Sequence, residues 1–353
     1  MINQLRYFLN KKYSHIVGKN NGFTLIELLV AMILAVLVIT PLLGFMINIL
    51  DTDRKEQAKV NSEQEIQTAL DYIAQDLQQA IYIYDAKGIK AIKNELPYAS
   101  NTDRVPVLVF WSRKFEKEAI DVTVSGSSVG KNDSFVYSLV VYYLIQSNTA
   151  NNTDTWSKQF RIARFELKDG IRNLDQPFKA DGTANYIRDK EPDAGFALFK
   201  LNDPTVTGTL EDKMNSWKKG SSAYELSKTA VLVDYIDASP RNDSQHTELI
   251  PVNCTTVFDL DNVPSDKRAN KTAALTVPSF SGTYSYSTNS NLNNSSFYAC
   301  VDIDRVSAKI FIRGNAYARI NEQDTNYDKN RQSYFPTANI QVKGKGAIGE
   351  FNQ

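Results

Sequence analysis

The sequence predicts an α+β fold in which a long amino-terminal helix packs on an antiparallel β-sheet head with long loop excursions. Three features predict it: an apolar stretch over residues 23–50, a helical repeat of apolar residues after it, and later runs rich in Val, Ile, Phe and Tyr at strand length. The expected order is a leader over residues 1–22, a transmembrane helix over 23–50, an amphipathic helix over 51–88, and a β-rich globular head over 89–353.

Residues 23–50 are long enough to cross a membrane as a helix. Their only ionisable side chain is Glu27. At about 1.5 Å per residue the segment reaches about 42 Å, against a hydrocarbon core of roughly 30 Å. Residues 1–22 carry four basic side chains and no acidic one. Cations are enriched on the cytoplasmic side of membrane helices, so we expect the leader in the cytoplasm and everything after Leu50 outside it.

The length of the apolar segment and its acidic residue disfavour two simpler explanations. An ordinary signal peptide has an apolar core of about 7 to 15 residues, which this segment exceeds. A plain signal anchor explains the hydrophobicity and the charge asymmetry, but it gives no reason for an acid four residues beyond a Gly-Phe junction. A carboxylate at the centre of a membrane helix costs about 2.5 to 3.5 kcal/mol, and less near the interface, so Glu27 calls for a partner.

The stretch Lys-Asn-Asn-Gly-Phe-Thr-Leu-Ile-Glu over residues 19–27, followed by the apolar segment, resembles the signal of type IV pilins and type II secretion pseudopilins. The resemblance implies a pilin-like fold, cleavage by prepilin peptidase between Gly22 and Phe23, and N-methylation of Phe23. It also implies that Glu27 meets the charged amino terminus of a neighbouring subunit, which agrees with the attraction of opposite charges in a low dielectric. A carboxylate is also favoured near a positive helix end, and both explanations stay open.

Helix breakers and a second apolar pattern follow. Pro41 and Gly44 interrupt the apolar helix, so a kink or a locally melted turn is expected there. Residues 51–84 then predict an amphipathic helix that stops at Gly88. The apolar stripe expected to pack on the head recurs at spacings of three and four: Ile66, Leu70, Ile73, Leu77, Ala80, Ile81 and Tyr84.

The remaining chain predicts strands separated by long surface excursions in one decorated domain. The excursions are residues 170–222 and 279–296, which are rich in Gly, Asn, Asp, Ser and Pro. The expected strands are residues 105–111, 134–145, 159–167, 230–236, 255–260 and 301–320.

Charge and cysteine content limit the partners. The chain has 40 basic and 40 acidic residues, and 36 against 40 without the leader, so no basic surface for nucleic acid is expected. Cys254 and Cys300 are the only cysteines. Outside the cytoplasm we expect them to form a disulfide, with two reduced buried thiols as the alternative.

Catalysis finds little support in the sequence, and we expect no enzyme, no cofactor and no catalytic or metal site. His246 lies in a turn-like segment typical of solvated surface, and the motifs of serine hydrolases, P-loop proteins, zinc proteases and CxxC redox proteins are absent. The pairs Asp259/Asp261 and Asp302/Asp304 are candidate calcium ligands. Calcium takes six to eight oxygens, so a wet sheet face is the better explanation.

Segments of the head are similar to a narrower family. They begin at Tyr142, Trp156, Leu232, Ser296, Ile310 and Tyr334. They resemble the hormogonium polysaccharide secretion pseudopilins of filamentous cyanobacteria, most closely the C-type member and more distantly the W-type minor pilins and J-type pseudopilins. The resemblance implies a subunit of a type IV pilus-like machine for slime polysaccharide secretion and gliding motility.

The same resemblance implies a place in the cell and a set of partners. The chain would be a single-pass protein of the plasma (inner) membrane, with a periplasmic or extracellular head that reaches the cell surface in an assembled filament. The implied partners are prepilin peptidase, other pseudopilins or pilins, the inner-membrane assembly platform, and extracellular polysaccharide. Two alternatives stay open: a general type II secretion or type IV pilus minor subunit, and a membrane-anchored module that binds polysaccharide through Tyr284, Tyr286 and Tyr298.

Overall fold

A helix of 54 residues, α1 (Leu25–Gln78), leads the described part of the chain. The structure is a computed structural model, and it describes residues 22–124, 127–148, 155–173, 175–180, 183–240, 249–260 and 265–346. The predicted leader up to residue 21, together with His246 and Asp261, lies outside the described residues. The long amino-terminal helix and the antiparallel sheet head of the predicted α+β, pilin-like fold are both confirmed.

The chain divides into two compact units, Met1–Arg54 and Lys55–Gln353. In the described part of the first unit, α1 passes Pro41 without interruption, so the melted turn expected there does not occur. In the same turn Thr40 Oγ1 donates a hydrogen bond to Val36 O at 2.8 Å. Proline removes one helical hydrogen bond, here the one that would reach Leu37 O, and an apolar helix tolerates one such loss without ending.

In the second unit, α1 presents one face to the core of the head. The apolar residues predicted to pack there as far as Leu77 are buried, as expected from their spacing. The buried apolar side chains of this face are Ala58, Ile66, Ala69, Leu70, Ile73, Ala74 and Leu77.

The predicted end of the amphipathic helix at Gly88 is wrong. Helix α1 ends at Gln78, and Ala80–Ile83 form a strand, β1, whose four residues are all buried. Strand β1 pairs antiparallel with the next strand, where Ile83 lies opposite Phe110. A short run made up only of apolar residues is compatible with a buried strand and with a buried helix. The periodicity of the sequence therefore could not distinguish the two.

Gly88 lies inside a second short helix, α2 (Ala86–Ile92). Asp85 begins this helix by accepting a hydrogen bond from Gly88 N at 2.8 Å. A Cβ on Gly88 would come within 2.7 Å of the Tyr84 ring. The glycine therefore serves close packing.

The first sheet has five strands in the order β1-β2-β3-β4-β5, and all neighbours are antiparallel. The four predicted strands over residues 105–236 are present. Two of them are longer than predicted, because β2 and β3 continue as a hairpin beyond the rest of the sheet. The strands that follow β1 are β2 (Arg104–Val124), β3 (Ser127–Ile145), β4 (Phe160–Lys168) and β5 (Ala230–Ile236).

The second sheet has four antiparallel strands in the order β6-β7-β8-β9. The run over residues 301–320, predicted as one strand, is divided by a turn between β7 and β8. The strands are β6 (Thr276–Val277), β7 (Phe297–Asp302), β8 (Ser307–Arg313) and β9 (Thr337–Lys343).

Three further α-helices lie among the described loops of the head: α3 (Leu210–Asn215), α4 (Cys254–Val257) and α5 (Ser265–Ala274). The strand predicted over residues 255–260 is wrong, because α4 occupies its first half. Asn253 accepts a hydrogen bond from Thr255 N at 3.1 Å and so starts a helical turn.

One hydrophobic core joins both sheets and the part of α1 that belongs to the second unit. The sheets also meet through backbone bonds: Asn315 N donates to Tyr235 O at 2.8 Å, and Asp237 N donates to Arg313 O at 3.1 Å. The largest fully buried side chains include Phe110, Trp111, Tyr142, Tyr143, Phe165 and Phe297.

Candidate functional site

The predicted cleavage site lies just before α1. Gly22 is exposed, and a Cβ added to it would meet no atom within 4 Å. Phe23 is 77% exposed. The structure of this chain therefore does not require glycine at position 22. A requirement for glycine there would come from the peptidase that is predicted to cut after it. Cleavage after Gly22 and methylation of Phe23 stay predictions.

Thr24 forms the start of the helix. Its Oγ1 accepts a hydrogen bond from Glu27 N at 3.3 Å, and its backbone oxygen accepts one from Leu28 N at 3.1 Å. The Thr24 cap was not predicted, although a threonine three residues before a glutamate and ahead of an apolar run is its known sequence signature. The cap fixes Glu27 in the first turn of α1.

Glu27 lies where a carboxylate is favoured by the positive end of the helix. This position explains its presence only in part, because the side chain is exposed on an otherwise apolar surface. The helix end and a charged partner from another subunit are compatible explanations. The role of Glu27 in filament assembly stays a prediction.

The first unit exposes an unusually large apolar surface, which begins at Phe23 and ends at Leu50. Twenty large hydrophobic side chains between these residues are each at least 48% exposed. Soluble monomers rarely expose contiguous apolar patches beyond a few hundred Å². Among the described residues, α1 is the one helix long and apolar enough to cross a membrane. Lipid or other apolar helices are the environments that suit this surface.

A partly buried polar network fixes the carboxyl-terminal end of α1 on the first sheet. Asp76 accepts hydrogen bonds from Arg164 Nε at 2.6 Å and from Tyr142 Oη at 2.7 Å. Lys114 Nζ lies 2.6 Å from Glu166 Oε1. Burial opposes ionisation of Glu166, yet Arg164 and Lys114 together hold its pKa below the ordinary value. The network ties the helix to β2, β3 and β4.

Cys254 and Cys300 form a disulfide with a Cα–Cα distance of 5.3 Å. It links the first residue of α4 to β7. Phe258, Leu260 and Leu275 pack around it in a small apolar cluster. The two cysteines are separated by 46 positions in the sequence, and the disulfide closes the segment between them into a loop.

Of the two acidic pairs considered as calcium ligands, only Asp302/Asp304 lies wholly within the described part of the chain. No group of three or more His, Cys, Asp or Glu side chains there could hold a metal ion. Lys271 Nζ lies 3.1 Å from Asp302 Oδ1 and also pairs with Asp304. Because lysine occupies this pair, the two carboxylates are held as structural ion pairs.

Two of the three tyrosines weighed as sugar platforms belong to the core. Tyr286 is 5% exposed, and its hydroxyl donates to Pro106 O at 2.8 Å. Tyr298 is 7% exposed and stacks on Phe311. Only Tyr284 is partly accessible. This set of rings therefore does not form an open binding surface.

Comparison with known proteins supports the amino-terminal signal. Residues 18–43 match the prokaryotic N-terminal methylation motif. No curated protein and no solved structure matches the chain. The matched residues contain Gly22, Phe23 and Glu27 and continue into the exposed apolar part of α1. The motif supports placing this chain in the class of type IV pilins and pseudopilins.

Proposed function

We propose that this protein is a minor pilin or pseudopilin subunit of a type IV pilus-like apparatus that serves polysaccharide secretion and gliding motility. The observation that carries the proposal is the methylation motif over residues 18–43, which runs directly into a helix with a wholly exposed apolar surface. Such a helix is stable only where lipid or other subunits cover it.

Processing and assembly follow from this helix. The chain is first held in the membrane with its basic leader in the cytoplasm. Prepilin peptidase cuts between Gly22 and Phe23, and the new amino group is methylated but keeps its positive charge. That charge pairs with Glu27 of a neighbouring subunit, because each charge alone is costly in a low dielectric. The helices of successive subunits pack together, and the head stays outside the membrane.

The polysaccharide role is supported by the similarity of the head segments to the hormogonium pseudopilins. The head, with its long excursions over residues 170–222 and 279–296, is bulky, and such a head is hard to repeat densely along a shaft. We therefore favour a low-copy subunit at a tip or initiating position. A general type II secretion or type IV pilus minor subunit is the alternative. The neighbouring genes distinguish the two functions: genes for glycosyltransferases would favour slime export, whereas a complete secretion operon would favour the alternative.

Deletion of the gene tests the proposal. We expect less exported polysaccharide and less gliding, full rescue by the complete chain, and no rescue by a secreted form that lacks residues 23–50. A secreted head that restores both phenotypes would reject the assembly role. Polysaccharide export that is unchanged by deletion, together with loss of an exported protein, would favour the secretion alternative.

A further inference from the structure

Two adjoining cavities in the head, of about 390 and 460 Å³, form one cleft that we call the Trp156 cleft. Trp156 and Asp234 line both cavities. The larger cavity lies between α1 and β5, and the smaller lies between the residues before β4 and the segment that follows β8. Each volume falls within the range of about 300 to 1,000 Å³ typical of sites for small ligands.

Three aromatic rings line the cleft. Tyr72 is 44% exposed, and Trp156 and Tyr235 are half-buried. Tyr235 has a φ of 56°, which is unfavourable for a residue with a side chain, and its ring lies 4.1 Å from the Arg319 guanidinium. Backbone strain of this kind clusters at ligand sites because the surrounding structure must enforce it. The strain places an aromatic ring on the cleft wall.

Gln159 supplies a hydrogen-bond donor at the same wall. The residue is 4% exposed, and its Oε1 accepts a hydrogen bond from Asn315 Nδ2 at 3.2 Å. Its Nε2 donates to no residue that the structure describes, and Gln159 lines the cavity. Because this amide donor is not engaged within the described part of the protein, a ligand oxygen in the cavity can accept a hydrogen bond from it.

The charged side chains of the cleft are compensated within the protein. Lys158 Nζ lies 3.3 Å from Glu322 Oε2, and Glu65 pairs with Arg319. The Asp234 carboxylate accepts hydrogen bonds from Ser157 N at 2.8 Å and Ser157 Oγ at 2.7 Å. Each of these charged side chains is thus engaged by an ion pair or by hydrogen bonds within the protein, and the cleft suits an uncharged ligand.

The edge of β5 argues against an extended peptide as the occupant. A peptide would add a strand along this edge and pair with its backbone groups. Tyr235 O and Asp237 N are already bonded to Asn315 and Arg313. The backbone groups at this end of β5 are therefore already paired. A peptide strand could not continue along β5 past Tyr235 and Gln159, which line the smaller cavity.

We propose that the Trp156 cleft binds an uncharged glycan segment. Sugar rings stack on Trp156, with Tyr72 and Tyr235 on either side, and a sugar hydroxyl accepts a hydrogen bond from Gln159 Nε2. The aromatic walls and the free amide donor match a ligand that has apolar ring faces and hydroxyl edges. The proposal that the cleft binds a glycan is based on the geometry of the head. It rests on the proposed export role only for the source of the glycan.

Binding is tested with the complete chain in detergent micelles and a panel of neutral oligosaccharides: cellohexaose, xylohexaose, mannohexaose and maltohexaose. The chain has three tryptophans, of which Trp111 and Trp217 are 0% and 3% exposed. Acrylamide quenching therefore reports mainly on Trp156. We expect at least one oligosaccharide to bind by calorimetry and to protect this fluorescence from the quencher.

Two pairs of variants separate the cleft from the rest of the surface. Thr68→Arg places a long side chain into the larger cavity from an exposed helix position, and Gln67→Arg makes the same change beside it, outside the lining. Trp156→Ala removes the shared ring, and Phe115→Ala removes an aromatic ring that is 55% exposed elsewhere. Thr68→Arg and Trp156→Ala should weaken binding about tenfold or more, while the two controls should leave it unchanged.

Four results overturn the cleft: no probe binds at millimolar concentration, Thr68→Arg and Gln67→Arg bind equally well, quenching is unprotected, or an extended Val-Thr peptide binds in place of the glycans. These results are separable from the filament proposal. A chain that is processed and assembled but binds no glycan rejects the cleft alone. A chain that binds glycan but is never cleaved after Gly22 rejects the filament role alone.

Discussion

Arg313 Nε donates a hydrogen bond to Asp237 Oδ2 at 2.7 Å, and both side chains are buried. The pair joins the end of β8 to the residue after β5, so it connects the two sheets. Arg313 Nη2 also donates to Asn294 O at 2.8 Å, and Ser239 N donates to Asp237 Oδ1 at 2.9 Å. The charges are thus paired and hydrogen-bonded, which is the condition under which buried ions are tolerated.

Asp237→Ala should lower the free energy of unfolding by about 3 to 5 kcal/mol, because it leaves Arg313 charged and buried without its partner. Urea denaturation of the complete chain in micelles measures this change. The control is Glu56→Ala, which removes an exposed ion pair with Lys59 and should cost about 1 kcal/mol or less. Equal losses in the two variants would contradict a structural role for the buried pair.

Gly22→Leu should prevent cleavage, because the protease needs close access to the backbone before Phe23. The uncut protein should keep its leader, and mass spectrometry of the amino terminus measures this directly. Gly44→Ala, a change in the same unit where an added Cβ meets no atom within 4 Å, should be cut as in the wild type. A wild-type chain that keeps its leader would remove the basis for the pilin assignment.

Glu27→Ala should be cleaved normally but should fail to assemble, because the amino terminus of the neighbouring subunit loses its counter-charge. Co-purification with the other pseudopilins, together with the mass of the mature chain, separates the two steps. Glu27→Asp keeps the charge and should restore part of the assembly. Wild-type recovery of partners with Glu27→Ala would reject the charge pair.

Cys254→Ser should lower the free energy of unfolding by about 4 kcal/mol or less, the chain-entropy expectation for a loop of this length. Peptide mapping without reductant should find the Cys254–Cys300 bridge in protein collected outside the cytoplasm. The wild type treated with reductant should match the variant in denaturation. Two free thiols in the mature protein would contradict this prediction.

Asp85 should make the head less stable as the pH rises from about 4 to about 6. Burial raises the pKa of Asp85 from its ordinary 3.8 to about 6, although the hydrogen bond from Gly88 N opposes this shift. In this window the folded chain binds more protons at Asp85 than the unfolded chain does, so stability falls with rising pH. By pH 7 the loss approaches about 3 kcal/mol.

Asp85→Asn keeps an oxygen that can accept from Gly88 N but removes the ionisation. Denaturation midpoints measured from pH 4 to pH 7 should therefore change less in the variant than in the wild type. Parallel pH profiles would show that Asp85 is not the group responsible.

The cleavage signal and the membrane-length helix could be predicted from the amino-acid sequence. Gly22, Phe23 and Glu27 lie close together along the chain, and a membrane-length apolar helix needs no distant contact to be recognised. The packing stripe of Ile66 and Leu70 was likewise local, because residues three and four apart share a helix face. Features of this kind can be predicted because they depend only on residues that are close together in the sequence.

The end of the long helix and the exposure of the aromatic rings in the head depend on contacts between distant parts of the chain. Ala80–Ile83 are apolar on every side, and only pairing with β2 makes them a strand. Tyr286 and Tyr298 lie in the core, whereas Trp156 lies in a cleft with Tyr235 and Gln159. These rings have similar apolar character in the sequence, and their exposure depends on which distant strands cover them. The Trp156 cleft is lined by side chains from α1, β5 and the segment after β8. These segments are far apart in the sequence, so no local sequence pattern predicts that they lie together.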